Sequence, residues 1–197
     1  KAVALDSGLA EAWVNLSAIL LDVGRAKDAL PVVERGLERH AKNPELLYNR
    51  ALALKELGRT NDALAAYATA VEANPANLEA KYGYAEAAAQ AGDNQKALEL
   101  LKSLATSDNI EILASSARLL GGLKAFDSCI EALNKALNLK QSSELYVQRG
   151  LCKHGSKDES GAQADFELAV KTDESFAPAH YYLGMHLKSQ GKKAKAR

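Results

Sequence analysis

The chain has 197 residues, 47% hydrophobic and 25% charged, the composition of a folded domain long enough to bury a substantial core and not of a disordered segment. Twenty-five basic residues balance twenty-five acidic ones, so the formal net charge is zero and gives no field to recruit nucleic acid or an anionic membrane surface. No apolar run approaches the ~20 residues that cross a bilayer, and the opening residues KAVALDSGLAEAW lack the charged-then-apolar layout of a targeting segment, so neither membrane insertion nor targeting is expected.

Two cysteines, Cys129 and Cys152, are too few for a disulfide-stapled secreted scaffold and fit a reducing, cytoplasmic setting. Four prolines, abundant alanine and the lack of alternating valine, isoleucine and threonine runs predict an all-α fold.

Taken in chain order, small residues recur at a fixed spacing. Ser17, Ala51, Ala85, Ala117, Gly150 and Gly184 follow one another at intervals of 34, 34, 32, 33 and 34. Ala29, Ala63, Ala97, Cys129, Ala162 and Ala196 repeat with the same intervals, and Ala2, Gly36, Ala70, Leu104, Ala136 and Ala169 form a third column. Two antiparallel helices that cross closely need such small residues facing each other. Val33, Tyr67, Leu101, Leu133 and Phe166, four positions after the second column, lie on the same helical face and are expected to seal each pair. Gly24, Gly58, Gly92 and Gly191 sit between the helices, where a left-handed residue ends the first of them.

Residues 1–9 read as the end of a preceding repeat. Repeats are then expected over 10–43, 44–77, 78–109, 110–142 and 143–176, with a sixth starting at 177 and running to 197. Both ends fall within a repeat, which suggests a segment of a longer array. Lys124 and Lys157 replace the turn glycine of their repeats, and Gly121, Gly122 and Gly155 just upstream could shift those helix ends. Pro31 is expected on the exposed side of a second helix, with a slight bend there. The shortened repeats around residues 105–125 suggest altered curvature.

The columns carry a resemblance. The tetratricopeptide repeat is a 34-residue helix pair with the pattern W-x2-L-G-x2-Y, A-x3-F, P. This chain shows Trp13, Leu16, Ser17 and Leu20 in one repeat, Leu183, Gly184 and Leu187 in another, Ala162 with Phe166 in a third, and Pro75 in the proline slot. It is therefore similar to tetratricopeptide-repeat proteins over essentially its whole length. The resemblance implies a right-handed α-solenoid of antiparallel helix pairs with a concave groove lined by the first helices, and a non-catalytic role as a scaffold for protein–protein interaction and complex assembly.

Groove-facing columns are then the candidate site: Glu11, Val14, Asn15, Glu45, Tyr48, Asn49, Leu52, Tyr82, Glu86, Arg118, Gln148, Leu151, Tyr181 and Met185. Asparagine can pair with the backbone of an extended peptide, and two such rungs, Asn15 and Asn49, are present; family frequency of these residue types accounts for them equally well. The glutamates Glu11, Glu45, Glu79, Glu111 and Glu144 mark first turns, where complementing the helix dipole (about 0.3–1 kcal/mol each) explains them better than an acidic groove edge. The resemblance also raises the carboxylate clamp of chaperone-binding members. With Asn49 as its middle asparagine, the flanking positions carry Val14, Ala18, Glu79 and Gly83, a set that argues against a clamp.

Catalytic and metal chemistry find little purchase in the spacing. Cys152 and His154 are two apart on a predicted helix and point in different directions, so Cys152 is expected in the core and His154 toward the groove. Cys129 occupies an alanine column, as a packing thiol would. His180 and His186 are six apart, no four-ligand zinc spacing occurs, and no cofactor, metal or catalytic residue is expected. The basic end, Lys188 to Arg197, reads as a solvated helix surface. The expected partner is a protein or peptide, bound in the groove or through the convex face or the ends of the array. The alternative is a substrate-recruiting or regulatory arm of an enzyme, for example a glycosyltransferase, whose catalytic domain lies outside the segment.

Overall fold

The periodic small residues translate into paired helices in the computed structural model, which describes residues 10–191. Eleven helices and no strand occur among the described residues. In chain order they are α1 (Ala10–Asp22), α2 (Ala26–Arg39), α3 (Pro44–Glu56), α4 (Thr60–Ala73), α5 (Leu78–Gln90), α6 (Asn94–Leu104), α7 (Ile110–Gly122), α8 (Phe126–Leu139), α9 (Ser143–Gly155), α10 (Glu159–Thr172) and α11 (Ala177–Ser189). The chain divides into two compact units, residues 1–100 and 101–197.

Four of the first helices start on a side-chain cap, a signal the periodicity did not carry. Asn43, Asn77, Asn109 and Ser142 each accept a hydrogen bond from the backbone N–H three residues on, at 2.8 to 3.2 Å, ahead of α3, α5, α7 and α9. Such a cap is worth about 1 kcal/mol against alanine, because it pairs an N–H that the helix leaves without a partner.

Each first helix ends in a left-handed residue. Gly24, Gly58, Gly92 and Gly191 take positive φ as expected, and so do Lys124 and Lys157, at φ 60° and 69°. The upstream glycines do not move these two ends: α7 runs through Gly121 and Gly122, and α9 includes Gly155. The bonding is the same at a glycine and at a lysine turn. The N–H of Arg59 reaches the Leu54 carbonyl at 3.0 Å, and the N–H of Ala125 reaches the Leu120 carbonyl at 2.9 Å. Continuing the pattern with a side chain at positive φ costs on the order of 1 kcal/mol, and it leaves Gly155 free for another purpose: a Cβ there would collide with the ring of Phe126 at the start of α8.

Packing follows the columns. In the first unit Ser17, Ala51 and Ala85 on first helices and Ala29, Ala63 and Ala97 on second helices are 0–1% exposed. Val33 and Tyr67, the expected sealing residues, are fully buried. Removing a large apolar side chain of this kind from water contributes about 1.5–3 kcal/mol. The Tyr67 ring lies against Gly83 so closely that a Cβ on Gly83 would overlap it. Pro31 is exposed within α2, which continues through it. In the second unit Ala117, Cys129, Ala162, Leu133 and Phe166 repeat the arrangement, and Gly150 admits the Phe166 ring.

Cys129 and Cys152 are joined in a disulfide across α8 and α9, with their Cα atoms 6.3 Å apart. They are thus not two separate packing thiols. The reason lies in the register: their columns pair Ala29 with Ala53 and Ala63 with Ala87 in the first unit, each pair packed in one core cluster. A cysteine on each side of that contact brings the sulfurs together.

Candidate functional site

In the first unit the expected groove residues come from α1, α3 and α5. Glu11, Asn15 and Glu45 are exposed, while Val14, Tyr48, Leu52, Tyr82 and Glu86 are half-buried. Glu86 on α5 is engaged by Lys55 of α3 in an ion pair. Leu52 packs on the cluster around Ala51 and Tyr67 and belongs to the core more than to a surface. The Tyr48 hydroxyl is pushed above the ordinary tyrosine value by burial first and by Glu79 second, so it remains a neutral donor.

Asn49 departs from its expected role. It is 6% exposed, and its Nδ2 donates to Ser17 Oγ at 2.9 Å and to the Val14 carbonyl at 3.3 Å. Ser17 Oγ in turn donates to the Trp13 carbonyl at 2.8 Å. The asparagine therefore ties α3 to α1, and its amide nitrogen is spent inside the unit. The two-rung ladder reduces to Asn15 alone.

In the second unit the columns converge. Arg118 on α7, Gln148 and Leu151 on α9, and Tyr181 and Met185 on α11 line two pockets that share Leu151. One, of about 270 Å³, is walled by Leu151, Phe166, Tyr181, Tyr182 and Met185 with the imidazoles of His154 and His186. The other, of about 230 Å³, holds Arg118 and Gln148 beside the disulfide. Tyr181 is 61% and Met185 51% exposed, unusual values for large apolar side chains that share a pocket. Tyr182 stacks on Phe166 at 6.0 Å and meets Tyr181 edge-on at 5.2 Å, which fixes the aromatic wall.

A polar acceptor stands among these groups. The Gln148 Nε2 donates to Glu144 Oε1 at 3.2 Å, whereas the Gln148 Oε1 is buried and has no hydrogen-bond partner among the described residues. Leaving such an oxygen unpaired is costly, and an incoming N–H would relieve it.

Next to the first pocket, three side chains meet that the sequence spacing had kept apart. His154 lies in the last turn of α9, Glu159 opens α10 and His186 lies in the last turn of α11, and their ligand atoms lie within 4.8 Å of one another. His154 Nδ1 is 2.9 Å and His186 Nδ1 3.5 Å from Glu159 Oε2. The turn between α9 and α10, an elbow of three residues, explains part of this. Asp158 caps α10 by accepting from the Gly161 N–H at 2.9 Å, and Glu159, the first residue of that helix, is presented back toward His154. The remaining part, the position of His186, is decided by how α11 packs. The third histidine of this region, His180, is exposed and bonds the Glu174 carbonyl at 2.8 Å instead.

No helix among the described residues is long and apolar enough to cross a membrane. The tetratricopeptide-repeat family model matches residues 48–109, and the bacterial transcriptional activator domain model matches residues 1–78. The search of curated proteins gives no match. Among solved structures, the chain is similar to YrrB, described as a TPR protein with an unusual peptide-binding site, with TM-score 0.71, 14% identity and coverage of 95% of this chain and 96% of that one. It is similar to a tetratricopeptide repeat protein from Parabacteroides merdae, with TM-score 0.65, 24% identity and coverage of 95% and 74%. It also resembles the Cut9–Hcn1 hetero-tetramer of the APC/C, with TM-score 0.69, 15% identity and coverage of 98% and 39%. By its repeat register, by the match over residues 48–109 and by the fold it shares with these neighbours, the chain is similar to tetratricopeptide-repeat proteins and has their all-α fold of paired helices.

Proposed function

We propose that the chain is a non-catalytic scaffold that takes an extended peptide segment, or a segment of a subunit, along the first helices of its repeats. The observation that carries this reading is the trough of the second unit, where the pocket of exposed Leu151, Tyr181 and Met185 adjoins, through Leu151, the pocket that holds Gln148 with its unpaired Oε1. Apolar pockets supply area, and one buried acceptor waits for a backbone N–H, the combination that suits a peptide whose main chain is bonded and whose side chains fill alternate pockets. Arg118 at the far pocket suits an acidic residue of the ligand. YrrB, a neighbour by fold, is described as having a peptide-binding site, and Cut9–Hcn1 as a hetero-tetramer. Both descriptions agree with peptide capture within a larger assembly.

The test is selection of binders from a displayed peptide library, followed by titration of the selected peptides. Met185→Glu and Leu151→Glu are each expected to weaken binding at least tenfold with helicity unchanged. Leu168→Glu, an equally exposed apolar position on the second helix α10, is expected to leave it alone. Peptides that lose affinity only with Leu168→Glu would move the site to the other face.

A further inference from the structure

We infer that His154, Glu159 and His186 form a binding site for a late first-row divalent cation, with zinc as the natural occupant. Two imidazoles and one carboxylate are the donor set such ions prefer over magnesium or calcium, which take oxygen. Three protein ligands with remaining positions open to solvent or to another donor is also the usual form of a non-structural zinc site.

The distances fit. Ligands about 2.0–2.2 Å from a tetrahedral zinc ion stand about 3.3–3.5 Å apart. Glu159 Oε2 lies 2.9 Å from His154 Nδ1 and 3.5 Å from His186 Nδ1, and all three ligand atoms fall within 4.8 Å of one another. An ion placed between them requires the Glu159 carboxylate to draw back from His154 by about half an ångström and the exposed His154 ring to turn toward the common centre.

Burial adds a second, independent reason. His186 is 5% exposed, packed against the Phe166 ring at 5.8 Å and edge-on to His154 at 6.1 Å. Its column elsewhere carries Ile19, Ala53, Ala87, Leu119 and Cys152, none of them charged or strongly polar, with Ala53, Ala87 and Cys152 buried. A polar ring at that position is expensive unless its nitrogen is used, and 3.5 Å to a carboxylate is too long for a good hydrogen bond. Coordination would satisfy the nitrogen. Both imidazoles line the aromatic pocket, so water or a donor from a molecule in that pocket completes the coordination shell. The ion would hold the end of α11 to the elbow between α9 and α10.

The inference is tested on the tag-free 197-residue chain after treatment with a chelator. Zinc titrated calorimetrically is expected to bind with a stoichiometry of one. Cobalt is expected to show the visible absorption of a tetrahedral site and to be displaced by zinc. Because His186→Ala empties a buried position and could unfold α11, the variants are His154→Ala and Glu159→Gln, at the two more accessible ligands. Each is expected to weaken zinc binding tenfold or more, whereas His180→Ala, on the same helix as His186 but outside the cluster, binds as the parent does. Failure to saturate at one ion per chain overturns the assignment, as does wild-type affinity in both His154→Ala and Glu159→Gln.

Discussion

Arg50 and Arg149 hold the same place in their repeats, one residue before the small crossing residues Ala51 and Gly150, yet they live in different environments. In the first unit Arg50 Nε reaches Glu34 on α2 at 3.0 Å, with both side chains 40% or more exposed. In the second unit Arg149 Nη1 reaches Asn134 at 2.7 Å, and Asn134 occupies the column of Glu34. There the fork of the arginine turns instead on Asp165 of α10, bonding both carboxylate oxygens at 2.6 and 2.8 Å. Asp165 is 1% exposed and is shared with Lys153 at 2.9 Å; its column in the first unit is the buried Ala66. The hydrogen bonds to Asp165 raise the Arg149 guanidinium further above its usual value, with burial acting against them. Asp165 in place of Ala66, with Asn134 in place of Glu34 and Lys153 in place of Leu54, thus sets a buried network where the first unit has a solvent-screened pair. Strength here depends on what the partner column offers, not on the arginine.

The largest effect should come from breaking that network. Arg149→Ala leaves Asp165 buried with Lys153 alone and should cost about 3 kcal/mol, whereas Arg50→Ala should cost about 0.5 kcal/mol, as exposed pairs do. Amide exchange in α9 and α10, set beside α3 and α4 under mild urea, reads the two costs separately. Equal losses of protection would mean that burial of Asp165 confers nothing.

The second contrast is covalent. Where the first unit packs Ala29 on Ala53, the second has the Cys129–Cys152 bridge with a sequence separation of 23. Closing a loop of that length constrains the unfolded chain by about 3.4 kcal/mol at 25 °C. Adding a reductant should therefore lower the thermal midpoint of the second unit by several degrees and leave exchange in α1 to α4 as it was. The double variant Cys129→Ala, Cys152→Ala should reproduce the reduced protein, since alanine is what that column holds elsewhere. An unchanged midpoint in reductant would show that the bridge does not contribute.

The smallest expected effect is acidic and local. Asp173 after α10 accepts from the Ser175 hydroxyl at 2.7 Å and the Ser175 N–H at 2.9 Å, and these bonds, the hydroxyl first, hold its carboxyl below the ordinary aspartate value. With the folded value below the unfolded one, the contribution is complete above the unfolded value and is lost as pH falls through the folded one. Asn74 makes the same turn in the first unit, accepting from the Ala76 N–H at 3.1 Å, and does not titrate. Acid should therefore loosen the Ser175 amide and not the Ala76 amide, and Asp173→Asn should abolish the difference. The two turns opening together in acid would assign the effect to something other than Asp173.

The residues that repeat were legible because their requirement is local. A helix crossing needs a small side chain, a helix end needs a left-handed residue, and both needs recur with every pair, so Ala51, Ala63 and Gly58 announce themselves by spacing. Lys124 and Lys157 show where that reading was too cautious: the bonding of the turn was strong enough to hold a lysine in a glycine's conformation. The candidate site was less legible. Asn49 looked like a groove rung and is a tie between helices, because whether its amide faces out or in depends on Ser17 in the neighbouring helix. The exposed wall of Leu151, Tyr181 and Met185 did follow from the columns.

Sequence by itself determined the helix pairs, their length, their crossing residues and the kind of chain they build, since each rests on contacts within one repeat. Tertiary structure alone decided the pairing of Cys129 with Cys152, the burial of Asp165 beside Arg149, and the meeting of His154, Glu159 and His186. Those side chains come from successive helices up to 32 positions apart. Which of them touch is fixed by how one repeat stacks on the next, a relation set by packing area and shape that no single repeat encodes.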